Sequence, residues 1–140
     1  MQGTLDLMNI KDIGEGAFEG CTGLTSVVLP ENLLRIEAFL FQGCTGLTVV
    51  NIPQCVTTIG TSAFASCSRL QSVSIPDEVE RIEDYAFKGC SNMKYLAIGN
   101  SVKKIGVEAF GECRRLKSLS IPASVDSILS SFVDLSLIHI

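Results

Sequence analysis

Large apolar side chains recur along the chain at a constant step of 23 residues. One column of isoleucines shows the step with no insertion or deletion: Ile13, Ile36, Ile59, Ile82, Ile105 and Ile128. A phenylalanine column and a cysteine column keep the same step: Phe18, Phe41, Phe64, Phe87 and Phe110, and Cys21, Cys44, Cys67, Cys90 and Cys113. A fixed period of this size is typical of repeat architectures, in which one supersecondary unit stacks on the next.

Within one repeat the spacing of apolar residues predicts two extended segments and a turn. Residues 70–75, LQSVSI, alternate between apolar and polar over their last positions, as a half-buried strand does. Pro76 ends this strand, because proline has no N–H to donate to a neighbouring strand. Residues 79–82, VERI, predict a second, shorter extended segment. Residues 86–90, AFKGC, predict a single helical or 3₁₀ turn, because the run is too short for a longer helix.

The period divides the chain into three parts. Residues 1–12 form an atypical N-terminal partial repeat, because Leu5 falls 22 rather than 23 residues before Val27. Residues 128–140 begin a degenerate sixth repeat or a C-terminal cap. Between them lie five full repeats: 13–35, 36–58, 59–81, 82–104 and 105–127. A single repeat cannot offset the conformational entropy that it loses on folding, so only the stack is expected to be stable.

The repeat unit resembles a known family. Its Leu-x-x-Val-x-Ile-Pro strand and its Ile-Gly-x-x-Ala-Phe-x-Gly-Cys-x-x-Leu signature are similar to those of BspA-like (Treponema-type) leucine-rich repeats, over residues 13–127. The resemblance implies a right-handed solenoid with a parallel sheet, β-rich with short helical or 3₁₀ turns. It also implies a surface or secreted protein that binds host or matrix proteins, with no catalytic residues. The chain departs from the pattern at Glu37 and Leu40, where Gly and Ala are usual.

Composition and charge narrow the function classes. Apolar residues make up 46% of the chain and charged residues 19%, which is typical of a folded protein. The net charge of −4 argues against nucleic-acid binding, which needs a basic face. No apolar run approaches the roughly 18 residues of a membrane span, so membrane insertion is not expected. Residues 1–14 lack the basic start and apolar core of a signal peptide, which leaves secreted and cytoplasmic locations open.

The cysteines could form disulfides or bind a metal, but their arrangement favours a structural role. Stacked cysteines lie about 4.8 Å apart, within disulfide range, yet their side chains point the same way. The column is therefore predicted to hold reduced, buried thiols that pack as small hydrophobic groups. Zinc needs tetrahedral ligands, which a straight column does not supply. Cys55 lies in a polar column and is predicted to be the accessible thiol. His139, the single histidine, lies in the tail, and we predict no catalytic, metal or cofactor site.

The predicted outward face of the strand is small and polar, with Tyr95 as its aromatic residue. Tyr95, Lys94, Lys117 and Arg115 are predicted to form a protein-contact patch, because aromatic and arginine side chains contribute much of the energy of interfaces. A solvated spacer face is an equally open alternative.

The apolar composition of the C-terminal tail predicts that the chain self-associates. Seven of the twelve residues after Ile128 are large and apolar, whereas a terminal cap usually has a polar outer face. Phe132, Leu135, Leu137 and Ile138 are therefore predicted to join two chains end to end as a homodimer. The alternative is a frayed end of a truncated repeat.

The sequence therefore predicts a non-enzymatic protein-binding or adhesion module of a cell-surface or secreted protein. Two alternatives remain open: a structural spacer that displays other domains, and a cytoplasmic protein-interaction scaffold.

Overall fold

The structure is a computed structural model, which describes residues 2–117, 119–128 and the backbone of 138–139. The chain folds as a parallel β-solenoid. Each repeat contributes one strand to a main sheet and one to a second sheet. The predicted repeat solenoid with a parallel sheet is confirmed. We call one 23-residue repeat a coil, and the five full repeats are coils 1 to 5.

The main sheet consists of three hydrogen-bonded groups of parallel strands. Its strands are β1 (Gln2–Asp6), β2 (Gly23–Val28), β4 (Val49–Val50), β6 (Ser72–Ile75), β8 (Tyr95–Ile98), β10 (Leu119–Ser120) and β12 (Ile138–His139). The groups are β1-β2-β4, β6-β8 and β10-β12. The N–H of Gln71 donates to the carbonyl of Thr48 (3.3 Å), and the N–H of Lys117 donates to that of Lys94 (3.4 Å). These two bonds place the three groups side by side along one face of the solenoid.

The second sheet runs without a break in the order β11-β9-β7-β5-β3. Its strands are β3 (Arg35–Ile36), β5 (Thr58–Ile59), β7 (Arg81–Ile82), β9 (Lys104–Ile105) and β11 (Ser127–Ile128). Each isoleucine of the column pairs with the next, as Ile59 does with Ile82. Residues 23 positions apart in the sequence are therefore paired in this sheet.

The core lies between the two sheets and is built from columns of like residues. The phenylalanine rings of adjacent coils are stacked, with centroids 5.1–5.9 Å apart and ring planes 6–20° from parallel. Phe41, Phe64, Phe87 and Phe110 are fully buried, whereas Phe18 in coil 1 is half-buried. Leu40 is also buried, in the column that holds Ala63 in the next coil.

The segment that closes each coil differs from the prediction of a helical or 3₁₀ turn. The described residues contain no helix, and the segment is a series of β-turns. Two positions of every coil have φ near +60°, which a right-handed helix cannot accommodate. These positions are Gly16, Phe39, Ser62, Tyr85 and Glu108, and Gly20, Gly43, Ser66, Gly89 and Glu112.

The N–H groups of this segment donate alternately within a coil and between coils. The N–H of Glu19 donates to the carbonyl of Gly16, three residues earlier (3.1 Å). The N–H of Phe18 donates instead to Leu40 of the next coil (3.1 Å), and that of Gly20 donates to Gln42 (2.7 Å). The segment therefore forms a third set of hydrogen bonds along the stack.

Both ends depart from the regular step. Leu5 pairs with Val27, after a shift of register between Gly3 and Thr4, so β1 keeps the 22-residue offset seen in the sequence. At the other end Ile138 pairs with Leu119, which places β12 beside β10. Phe132, Leu135, Leu137 and the side chain of Ile138 lie outside the described residues, so end-to-end association stays a prediction.

Candidate binding surface

The outward side of the main sheet forms a surface that we call the sheet face. It consists of the side chains that alternate with buried core residues along the strands of coils 1 to 5. Its three columns are Thr25, Thr48, Gln71, Lys94 and Lys117; Ser26, Val49, Ser72 and Tyr95; and Val28, Asn51, Ser74, Ala97 and Ser120. Most of these side chains are small and exposed.

Backbone hydrogen bonds hold the first column of the sheet face in line. The N–H of Thr48 donates to Thr25 (3.0 Å), and the N–H of Lys94 donates to Gln71 (2.9 Å). The bonds of Gln71 and Lys117 complete the row. Adjacent members of the column are therefore separated by the ordinary spacing of strands, about 4.8 Å.

The structure brings the four predicted contact residues together at one end of this face. Tyr95 is 61% exposed, and the ammonium nitrogen of Lys117 lies 5.7 Å from the centre of its ring. Lys94 is bonded through its backbone to Lys117. Arg115 and Lys117 flank the buried Leu116, so both side chains are on the outward side. Lysine over an aromatic ring is an attractive cation–π arrangement.

Two further cations belong to this end of the face, and neither was predicted from the sequence. Arg69 precedes Arg115 by 46 residues, which is two coils, so it occupies the same column. Arg114 is exposed beside Arg115 in the turn that enters β10. The two-coil spacing is visible in the sequence and would have identified Arg69. We call the set of Arg69, Lys94, Arg114, Arg115 and Lys117 the cationic patch.

The charges of the cationic patch are not neutralised by the described part of the chain. Ion pairs form elsewhere, between Arg35 and Glu37 (3.7 Å), Arg81 and Glu83 (2.8 Å), and Lys88 and Glu108 (3.2 Å). Within residues 2–117 and 119–128, no carboxylate lies within 4 Å of a cationic group of the patch. No described carboxylate therefore competes with an external anion for the patch.

A second pair of aromatic residues lies in the turn segment. Phe39 is half-buried and Tyr85 is 37% exposed, and both have φ of 61°. The ammonium nitrogen of Lys88 is 5.4 Å from the centre of the Tyr85 ring and also pairs with Glu108. Both tyrosines have a lysine over the ring, but Tyr85 is less exposed than Tyr95, which makes it less available to a partner.

The cysteine column is free of disulfides, and four of its members are buried. The thiols of Cys44, Cys67, Cys90 and Cys113 each donate to the carbonyl of the phenylalanine in the preceding coil, at 3.2–3.3 Å. Burial raises the pKa of the Cys44 thiol to about 11 and that of Cys113 to about 12. It raises the pKa values of Cys67 and Cys90 well above the ordinary value as well. These thiols are therefore neutral at physiological pH and poor nucleophiles.

The two remaining cysteines are more accessible. Cys55 is exposed, and Cys21, in the first coil, is half-buried. Cys21 thus departs from the prediction of a uniformly buried column. In the described residues, no three His, Cys, Asp or Glu side chains are arranged to hold a metal ion. That part of the chain also contains no helix long and apolar enough to cross a membrane.

The repeats match a known family model. The model of the BspA type leucine rich repeat region matches six copies over residues 8–137. The chain belongs to the BspA-type leucine-rich repeat family. Leucine-rich repeats generally mediate protein–protein interactions, and their fold is typically non-catalytic. No curated protein matches the chain.

Solved leucine-rich repeat structures share the fold. A leucine-rich repeat protein from Bacteroides ovatus is 24% identical, with a TM-score of 0.79 over 93% of this chain and 38% of its own. One from Eubacterium ventriosum is 28% identical, with a TM-score of 0.72 over 85% of this chain and 33% of its own. A leucine rich cell surface protein from Faecalibacterium prausnitzii is 20% identical, with a TM-score of 0.60 over 99% of this chain and 52% of its own. The chain thus spans a third to a half of these relatives.

Proposed function

We propose that the chain is a non-enzymatic protein-binding module, and that Lys94, Tyr95, Arg115 and Lys117 contact its partner. One observation carries this proposal: Tyr95 is largely exposed beside cations that pair with no described carboxylate, on a face that is otherwise small and polar. Tyrosine and arginine are the residue types that contribute most binding energy at protein interfaces.

The sheet face is suited to such a contact because its backbone is rigid. The inter-coil hydrogen bonds hold Lys94 and Lys117 in place, so their backbone loses little freedom when a partner binds. The neighbouring side chains, such as those of Ser72 and Ala97, are small, so the Tyr95 ring projects from the sheet face. A partner can therefore reach the face of the ring that Lys117 does not cover.

We further propose a surface or secreted location, with a host or matrix protein as the partner. The family and the Faecalibacterium prausnitzii neighbour, described as a cell surface protein, support this location. The cationic patch is compatible with a partner that presents acidic side chains, because opposite charges attract.

A binding experiment tests the proposal. The purified chain is presented to immobilised extracellular-matrix and plasma proteins, and binding is measured by biolayer interferometry. The variant Tyr95→Ala with Lys117→Ala is expected to weaken binding at least about 30-fold, the effect of removing a residue worth about 2 kcal/mol. The matched control, Gln71→Ala with Ser72→Ala, changes the same two columns in coil 3 and is expected to stay within about 3-fold of the unaltered chain.

Two results would contradict the proposal. Equal loss in both variants would show that the contact is spread over the whole face rather than centred on Tyr95. Absence of binding to every protein tested would favour the structural spacer. Circular dichroism and thermal melting of each variant establish that it is folded before its affinity is compared.

A further inference from the structure

Positive and negative side chains are unevenly distributed along the chain, although its net charge is only −4. Residues 85–117 contain seven cations and two anions, a local charge of +5. The remaining residues contain four cations and thirteen anions, a charge of −9. Division of the chain into halves obscures this difference, because the cationic window is flanked by acidic segments on both sides.

The folded chain sorts these cations between two sides of the solenoid. Lys88 pairs with Glu108, and Lys103 and Lys104 lie at the second sheet. The other cations of the window, Lys94, Arg114, Arg115 and Lys117, are at the main sheet, where Arg69 of coil 3 joins them.

Two of these charges are directly adjacent. Lys94 and Lys117 occupy one column just before the neighbouring strands β8 and β10, with a backbone hydrogen bond of 3.4 Å between them. Like charges opposite each other on neighbouring strands repel. Since no described carboxylate pairs with either lysine, a bound anion would offset this repulsion.

We propose that the cationic patch binds an extended acidic polypeptide segment, with an apolar side chain of that segment resting on Tyr95. This inference rests on the proposed function and specifies the chemistry of the partner. Arg69, Arg114 and Arg115 offer guanidinium forks that hold carboxylates through paired hydrogen bonds. The Tyr95 ring, 61% exposed, supplies the apolar contact between them.

The dimensions of the patch fit such a segment. Arg69 and Arg115 are two coils apart, about 10 Å along the solenoid at the ordinary spacing of strands. Side chains on one side of an extended peptide recur about every 7 Å, a step that long, flexible lysine and arginine side chains can follow. A segment of about four residues therefore spans the patch along the solenoid.

A longer or denser polyanion fits less well, because the chain outside residues 85–117 carries a charge of −9. Asp77, Glu78 and Glu80 follow β6 and are exposed. Charges repel one another over about 8 Å at physiological salt. A nucleic acid, a sulfated glycan or an anionic membrane extends well beyond a patch of this size and meets these carboxylates, whereas a short acidic segment does not.

Fluorescence polarisation with a labelled peptide, EDEFEDE, tests the inference against a neutral peptide, QNQFQNQ. The acidic peptide is expected to bind, and the neutral one to bind at least 10-fold more weakly. The variant Lys94→Glu with Lys117→Glu is expected to lower the affinity for the acidic peptide at least 30-fold. The matched control, Lys103→Glu with Lys104→Glu, makes the same change of net charge on the other sheet and is expected to lower it less than 3-fold. Tyr95→Ala is expected to lower it about 5-fold.

Several outcomes would overturn the inference. Equal loss in the two charge reversals would show attraction to the whole chain rather than to the patch. Tighter binding of heparin, or of vesicles with 30% phosphatidylserine, with the same dependence on Lys94 and Lys117, would identify a polyanion as the occupant. If a matrix or plasma protein binds through Tyr95 and the acidic peptide does not, the acidic partner is wrong and the proposed function stands. If none of these ligands binds, both proposals fail.

Discussion

Two columns run along the solenoid with the same step: the buried phenylalanine column and the outward column that contains Lys94 and Lys117. The buried column repeats one residue type, whereas the outward column changes its residue type along the stack. The buried column holds phenylalanine in every coil, with stacked rings 5.1–5.9 Å apart. The outward column changes from Thr25 and Thr48 to Lys94 and Lys117.

The difference has a physical cause. Identical apolar groups placed on one another every 5 Å or so exclude water and gain dispersion contacts, so a buried column favours repetition. Identical charges at that spacing repel each other. A charged residue is therefore repeated in an outward column only where something offsets the repulsion. Lysine on lysine at one end of an otherwise neutral column is therefore the feature of this column that supports the proposed contact site.

The largest test of this comparison is to interrupt the buried column. Phe64→Ala removes a fully buried ring that is stacked on both sides and is expected to cost about 3–5 kcal/mol in the free energy of unfolding. Phe18→Ala is the matched control, because Phe18 is half-buried and stacked on Phe41 alone among the described rings. Its expected cost, measured by urea denaturation, is less than half as large. Equal costs would show that stacking within the column does not determine its contribution.

The buried thiols make stability depend on alkaline pH. Burial raises the pKa of Cys113 from 9.0 to about 12, so the unfolded chain loses this proton at a lower pH than the folded chain. The stabilisation is complete below pH 9 and declines between pH 9 and about 12, by about 1.4 kcal/mol per pH unit for each such thiol.

The variant Cys113→Ala is expected to reduce that slope by about one thiol's share between pH 9 and 10.5. Urea denaturation at several pH values measures it. Cys55→Ala, which removes an exposed thiol, serves as the control and is expected to leave the slope unchanged. An unaltered slope in Cys113→Ala would mean that this thiol does not titrate as its burial requires.

A smaller test concerns the left-handed positions of the turn. Ser66 has φ of 61° in a column that holds glycine in three of the other four coils, so Ser66→Gly is expected to stabilise the chain by about 0.5–1 kcal/mol. Gly43→Ala is the reverse change at φ of 74°, where the new methyl group would lie 3.7 Å from Gly20, an ordinary contact. It is expected to destabilise by about 1 kcal/mol. Thermal melting of both variants measures the effects, and the same sign in both would be inconsistent with backbone strain.

The smallest expected effect tests the lysine repulsion itself. Lys94→Thr gives coil 4 the residue of coils 1 and 2 and is expected to raise stability by about 0.5 kcal/mol at low salt. The gain is expected to shrink in 0.5 M salt, because salt screens exposed charges. Gln71→Thr, in the same column without a charge, is the control. A gain that is independent of salt would attribute the effect to strand propensity instead.

By itself the sequence determined which residues stack. Ile59 pairs with Ile82 and Val73 with Leu96 because a 23-residue step without insertions leaves one register in which every apolar group is covered. The two strands of each coil and the buried columns followed from the same step, whereas the contact role of the residues around Tyr95 stays a prediction. The terminal offset at Leu5 was visible as well, because a missing residue shifts the phase of the pattern.

The tertiary structure alone decided the rest. Phe39, Ser62 and Tyr85 do not have the glycine that a left-handed position favours, so their φ values, and with them the absence of a helical turn from the described coils, could not be predicted locally. Contacts between coils hold these residues there. Which cations stay unpaired was decided in the same way: Lys88 reaches Glu108 of the next coil, whereas Lys94 and Lys117 meet each other and no described carboxylate. A period determines the neighbours in a column, but the direction in which each long side chain extends depends on all the coils around it.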